Sequence, residues 1–167
     1  LTGYLNTIIY SVGYSVISVS LSVLTGYALS KHNLPGKKLF DYFFIFAMYF
    51  SGGLIPIYLL VKSLGLINKL YTLWIIDVLL IYHVILARSY FESSIPDVLY
   101  DAASIDGCNT AQTFVKIVIP LSKPIVVVLG LFCLVHQWNS YFNAMIYLNE
   151  RRFYPLQLVL REILVIS

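Results

Sequence analysis

Long apolar runs alternate with short polar clusters along this chain, and the runs are long enough to cross a membrane. The first extends from about residue 5 to 29, within a stretch (1–30) that contains no Asp, Glu, Lys or Arg. A transmembrane helix needs roughly 20 apolar residues, so this run suffices alone. The cluster Lys31-His32-Asn33-Leu34-Pro35-Gly36-Lys37-Lys38 closes it. A second run, 42–61, contains Ser51-Gly52-Gly53 and then Pro56. That sequence predicts a kink or break, because proline removes a donor and crowds the preceding turn. The third run, 70–87, holds Asp77 and His83 and ends at Arg88, and the fourth covers 124–148. These four spans, with a terminal stretch 154–167 of unassigned location, predict an all-α, polytopic transmembrane helical bundle.

Polar residues inside the runs are the first candidates for function. Ser11, Ser15, Ser18, Ser22 and Thr25 recur at helical spacing. Small residues permit close backbone approach in lipid, so the stripe predicts a helix packed tightly on a neighbour, with a sugar-lined face as the other reading. The break expected near Gly52-Gly53 fits a packing kink or a pore-lining break, since freed backbone groups must face protein or water. Asp77 is an ionisable group at membrane depth, which is costly and points to function. A place near an interface and a place on a transport path both stay open for it, and it shares no helical face with His83. The fourth run turns polar at His136-Gln137-Trp138-Asn139-Ser140-Tyr141-Phe142-Asn143. On a continuous helix His136, Asn139, Ser140, Asn143 and Tyr147 share one face, with Trp138, Tyr141 and Met145 beside it. Amides for hydroxyls and flat rings for a sugar's apolar face suit a carbohydrate path. An interfacial aromatic belt is the rival explanation, and the amides favour the lining role.

The longest polar stretch, 92–123, has its own grammar. Ser94, Pro96 and Asp97 form a helix start, with proline in the first turn and a carboxylate near the positive dipole end. Val98, Leu99, Ala102, Ala103 and Ile105 are expected on one side, and Gly107 suits a left-handed stop. Asn109 and Gln112 have capping-box spacing and restart a helix, whose apolar face Phe114, Ile117 and Val118 carry as far as Pro120. Two short helices outside the bilayer result, with an apolar ridge that seeks either the chain's own spans or a partner's groove.

Composition sharpens this picture mainly by exclusion. Charged residues make up 11% of the chain and hydrophobic ones 59%, whereas soluble domains carry about a quarter charged residues. A net charge of +3 without a basic run leaves no footprint for nucleic acid. Cys108 and Cys133 read as ordinary small side chains, and no metal or cofactor site is expected. No G-x-x-x-x-G-K-[ST] sequence occurs, and no Ser or Cys sits beside a base, so the chain is not expected to be an enzyme. One domain over residues 1–167, cut from a longer polytopic protein, fits both the length and the abrupt apolar ends.

The run Asp101-Ala102-Ala103-Ser104-Ile105-Asp106-Gly107-Cys108, followed by Phe114, Ile119-Pro120-Leu121 and Pro124, resembles the EAA loop of binding-protein-dependent ABC importer permeases. Leu34-Pro35-Gly36-Lys37 and the stretch 136–147 resemble the carbohydrate-uptake branch, especially permeases for complex oligosaccharides. Asp101 stands where that pattern has Glu, and Cys108 where it has Ala, a tolerable small hydrophobe. The resemblance implies a coupling loop at 92–123 on the cytoplasmic side, with the apolar ridge as the surface that docks on separate ATPase subunits and Asp101, Ala102, Ala103, Asp106 and Gly107 as coupling residues, of which Asp101, Asp106 and Gly107 fix its shape. The residues' own chemistry, and not the resemblance, assigns a substrate path to His136, Trp138, Asn139, Tyr141 and Asn143. The further partners the resemblance implies are a second permease, an extracytoplasmic solute-binding protein and a sugar, in a bacterial plasma (inner) membrane. Charge alone does not orient the chain: Lys31, Lys37, Lys38, Arg88, Lys116 and Lys123 oppose Lys62, Lys69, Arg151, Arg152 and Arg161, six against five. The rival classes are an ion-coupled secondary transporter, which would call for paired intramembrane carboxylates or broken helices in both halves, and an assembly subunit that translocates nothing.

Overall fold

The computed structural model describes residues 2–31 and 33–166; Leu1, His32 of the first connector and Ser167 lie outside them. The described residues are helical, without strands. The chain packs as two compact units, Leu1–Ser18 with Tyr49–Val78 and Gly130–Ser167, and Val19–Met48 with Leu79–Leu129. Helices α1 (Thr2–Ser30) and α9 (Lys123–Asn139) each contribute to both.

In the first unit the start of α1 is fastened to the end of the chain. Asn6 donates to the carbonyls of Arg152 and Tyr154, Tyr10 to that of Phe153, and Thr7 accepts from the Leu156 amide. The terminal stretch thus gains a place: α11 (Leu156–Ile166) buries Leu158 with Tyr10, Leu73, Ala144 and Leu148. A second cluster joins Val61 of α3 (Leu54–Ser63) to Ile76 and to Tyr147 of α10 (Phe142–Tyr147). Asn68, in the left-handed conformation that Asn tolerates, ties the turn after α3 to Asn149 and Glu150 through its side chain.

In the second unit α1, α5 (Ile81–Ser94), α6 (Asp97–Ile105) and the start of α9 share one core, built on Val23, Tyr27, Ala87, Phe91, Ile95, Val118, Ile125 and Leu129. α1 and α5 approach so closely at Gly26 that an added Cβ would lie 2.7 Å from Ala87 Cβ and 2.9 Å from the Arg88 amide nitrogen. Of the stripe of small residues on α1, Ser11, Ser15 and Ser18 of the first unit and Ser22 of the second are buried, while Thr25 is half-buried. By contrast α2 (Lys37–Tyr49) buries none of its residues.

Three expected spans are discontinuous, the fourth at 140–141 between α9 and α10. The second breaks after Tyr49, as Gly52-Gly53 predicts, with Gly53 at φ 84° before α3. The third is not one helix from 70 to 87. α4 (Thr72–Ile75) stops, Asp77 takes φ 55°, and α5 begins only at Ile81 and runs on to Ser94, so the polar stretch starts inside a helix. One described helix, α1, is long and apolar enough to span a membrane, and up to three spans result if each of two sharply bent helix pairs counts as one.

Candidate functional site

The loop after α5 is built by local rules. Ile95 and Pro96 are extended, and α6 begins at Asp97. It closes with Gly107 at φ 75°, the Gly107 amide bonding Ser104 O and the Cys108 amide bonding Ala103 O. This is the paired closure of a helix ending in a left-handed glycine. Asn109 and Gln112 then cap reciprocally, Asn109 Oδ1 accepting from the Gln112 amide at 2.8 Å and Gln112 Oε1 from the Asn109 amide at 3.0 Å. α7 (Thr110–Thr113) follows, then a widened π turn at Phe114–Val118 and α8 (Ile119–Leu121). Helical backbone therefore passes through Pro120, where a stop was expected. Proline has no N–H to give the preceding turn, and a π turn, which shifts hydrogen bonding by one residue, sits directly before it.

The apolar ridge of α6 divides. Leu99 and Tyr100 pack on the core and Ala103 is 2% exposed. Val98 and Ile105, expected on the same side, are 73% and 86% exposed. With Asp101 and Ala102 they occupy positions i, i+3, i+4 and i+7, one face of a helix. Of the predicted coupling residues, Asp101, Ala102, Asp106 and Gly107 are exposed and Ala103 is inside. Neither the Asp101 nor the Asp106 carboxylate has a hydrogen-bond or ion-pair partner among the described residues; Asp106 ends α6 through its backbone.

α6 is clamped from behind by aromatic rings. Tyr27 lies 4.6 Å from Phe114, 5.9 Å from Phe91 and 6.4 Å from Tyr100, centroid to centroid. Lys31 Nζ sits 3.0 Å from the Tyr100 ring centre and 4.7 Å from that of Tyr27, a cation–π arrangement. Burial pushes the Lys31 ammonium down to about 8, against the pull of Asp97, and pushes the Tyr100 phenol up to about 12. Beside it, Lys37 and Arg88 hold Glu92, and Arg88 also binds Asp41 of α2. Burial opposes ionisation of Glu92, but Arg88 and then Lys37 keep its carboxyl below the ordinary carboxylate value. An acidic cleft of about 710 Å³, lined by Lys31, Glu92, Asp97, Tyr100 and Asp101 among others, runs along α6.

The predicted substrate path is assembled differently. α9 ends at Asn139 and α10 starts at Phe142, so His136, Asn139, Ser140, Asn143 and Tyr147 do not form one continuous helical face. Asn139 spends its amide on the Val135 carbonyl of its own helix, at 2.9 Å. Trp138 meets Tyr4 edge-on at 6.0 Å, and Tyr141 lies 5.3 Å from the Arg161 guanidinium. Tyr147 is buried and stacked on Tyr58. His136 is exposed, 6.0 Å from the Tyr14 ring. Tyr14 donates to the Asp77 carbonyl at 2.9 Å, and Asn143 Nδ2 lies 3.5 Å from Asp77 Oδ2. The structure thus gathers His136, Asn143, Tyr14 and Asp77 in one region. An acidic residue inside an apolar run was the signal for Asp77; Tyr14 carried none. The described residues contain no group of three His, Cys, Asp or Glu able to hold a metal.

Residues 18–150 match the model of the binding-protein-dependent transport system inner membrane component family. The chain belongs to this family. The match takes in every residue of both regions named in the sequence reading. Relatives in the family include the polygalacturonan/rhamnogalacturonan transport system permease protein of Bacillus subtilis, 39% identical over 92% of this chain and 53% of its own length. An inner membrane ABC transporter permease protein of Escherichia coli is 32% identical over 87% of this chain and 53% of that protein. A crystal structure of a bacterial ABC transporter that imports the acidic polysaccharide alginate contains a chain with TM-score 0.93 and 38% identity, covering 96% of this chain and 57% of that one. The chain thus spans about half the length of the curated relatives it matches.

Proposed function

We propose that this chain is part of the translocating permease subunit of an ATP-driven importer for an oligosaccharide, inserted by several spans in a bacterial inner membrane. The observation that carries the reading is α6: a helix capped at its close, clamped from behind by Tyr27, Tyr100, Phe114 and Lys31, with Val98 and Ile105 bare on the other side. A rigid helix with an unused apolar face can transmit a push, and docking of an ATPase against Val98, Asp101, Ala102 and Ile105 would bias the subunit between its states through differential affinity. ATP hydrolysis belongs to that separate subunit. The solute-binding protein and a second permease complete the assembly, and sugars imported by the relatives indicate the substrate class. Helix breaks such as those at 50–53 and 140–141 also suit an ion-coupled carrier, but that alternative lacks its pair of carboxylates, since Asp77 has no acidic or basic partner among the described residues.

The test is the full-length complex with Val98→Glu and Ile105→Glu combined. Both positions are exposed, so folding and membrane insertion should persist, while ATP-dependent sugar uptake and co-purification of the ATPase should fall at least about tenfold, the effect expected when charges enter an apolar interface. Uptake at the unmodified level would count heavily against the reading.

A further inference from the structure

Docking leaves Asp77 without a use, although the fold goes to some length to hold it. Its φ of 55° is one that side-chain-bearing residues rarely adopt, and such conformations persist where the surroundings over-determine them. Here Tyr14 holds the Asp77 carbonyl at 2.9 Å, and the preceding Ile76 is buried with Val61 and Tyr147. The backbone is fixed while the carboxylate stays exposed. Oδ2 lies 3.5 Å from Asn143 Nδ2, long for a hydrogen bond, so both groups retain capacity for a third party. No cation pairs with Asp77 among the described residues, and Arg161 of the same unit is turned to Tyr141 and Met145.

We infer that Asp77 and Asn143 form a subsite for two neighbouring hydroxyls of an uncharged sugar ring. The carboxylate accepts from one hydroxyl, and the Asn143 amide donates to the oxygen of the next. A ligand carboxylate at the same place would meet an unneutralised charge and be repelled. The inference rests on the permease reading above. Its rival is a local structural role, in which Asp77 only shapes the break between α4 and α5.

Asp77→Gly separates the two, because glycine adopts positive φ without penalty. The experiment measures ATP-dependent uptake by the full-length complex in membrane vesicles, with arabinotriose, diacetylchitobiose and trigalacturonate as probes, together with thermal stability. The expected result is wild-type import of a neutral probe, with Asp77→Gly and Asn143→Ala each raising its KM about tenfold or more. Maximal uptake should be nearly kept, and Asp77→Gly should be at least as stable as wild type. Asp77→Asn should in addition let trigalacturonate compete better. An unchanged KM in both Asp77→Gly and Asn143→Ala, or wild-type import of trigalacturonate alone, overturns the subsite while the permease reading stands. Absence of ATP-dependent uptake of all three probes by wild type would remove both.

Discussion

The loop at 95–121 and the break at 139–142 both interrupt apolar helices, yet they are fixed by different forces. The loop carries its instructions within a few residues: Pro96 before the helix, Gly107 after it, and Asn109 with Gln112 to start the next. Past the break the chain instead meets groups far away in sequence: Asn143 lies beside Asp77, whose carbonyl Tyr14 holds, and Asn149 and Glu150 bond to Asn68. On the proposals above the contrast has a use: a face that docks on a protein benefits from local determination, and a ligand subsite benefits from polar groups left partly unspent, as at Asp77 and Asn143.

The sharpest way to break the comparison is at the two tight glycines. At Gly26 an added Cβ meets backbone of α5, which cannot move away; at Gly13 it meets only the indole of Trp74, nearest atom 2.4 Å. Gly26→Ala should therefore cost about 2–3 kcal/mol by overpacking, and Gly13→Ala less, because a side chain can turn aside. Thermal unfolding of the detergent-solubilised complex checks this, and equal losses would contradict it. The left-handed positions come next. Gly107 has open space around it, so Gly107→Ala is penalised by conformation alone, about 1–2 kcal/mol, whereas Asp77→Gly should stabilise. Opposite signs at these two sites would sharpen the contrast. Asn109→Ala removes the capping box and should cost about 1 kcal/mol, read as earlier fraying of 107–113 in hydrogen exchange.

The smallest effect is a pH dependence. Glu92 titrates below its ordinary 4.5 when folded, so the unfolded chain binds its proton first. Its contribution is complete above pH 4.5 and fades as the pH falls below that value. Arg88→Gln should flatten that acid limb of the stability curve.

Most of the loop was legible in the sequence because capping and left-handed turns are decided by neighbours. What was not legible depends on tertiary packing. Helical spacing already puts Val98 and Ile105 on a different face from Leu99 and Ala103; what α6 alone does not tell is which of the two faces Tyr27, Phe91 and Phe114 cover. Pro120 read as a stop because a π turn has no sequence signature that would announce it. The break at Asp77 lacks the glycine or proline that marked Gly52-Gly53, so the third run read as one helix. Likewise the end of α9 at Asn139 divides a face that the spacing of His136, Asn139 and Asn143 had joined.

The central claim is that the exposed face of α6, and not its packed face, meets an ATPase. Single cysteines at Ile105 and at Leu99, in a background with Cys108 and Cys133 replaced by Ser, allow that claim to be measured by cross-linking to the co-expressed ATPase subunit. The account predicts a strong cross-link from Ile105→Cys that changes with bound ATP, and none from Leu99→Cys. No cross-link from either position, or equal cross-links from both, would contradict it.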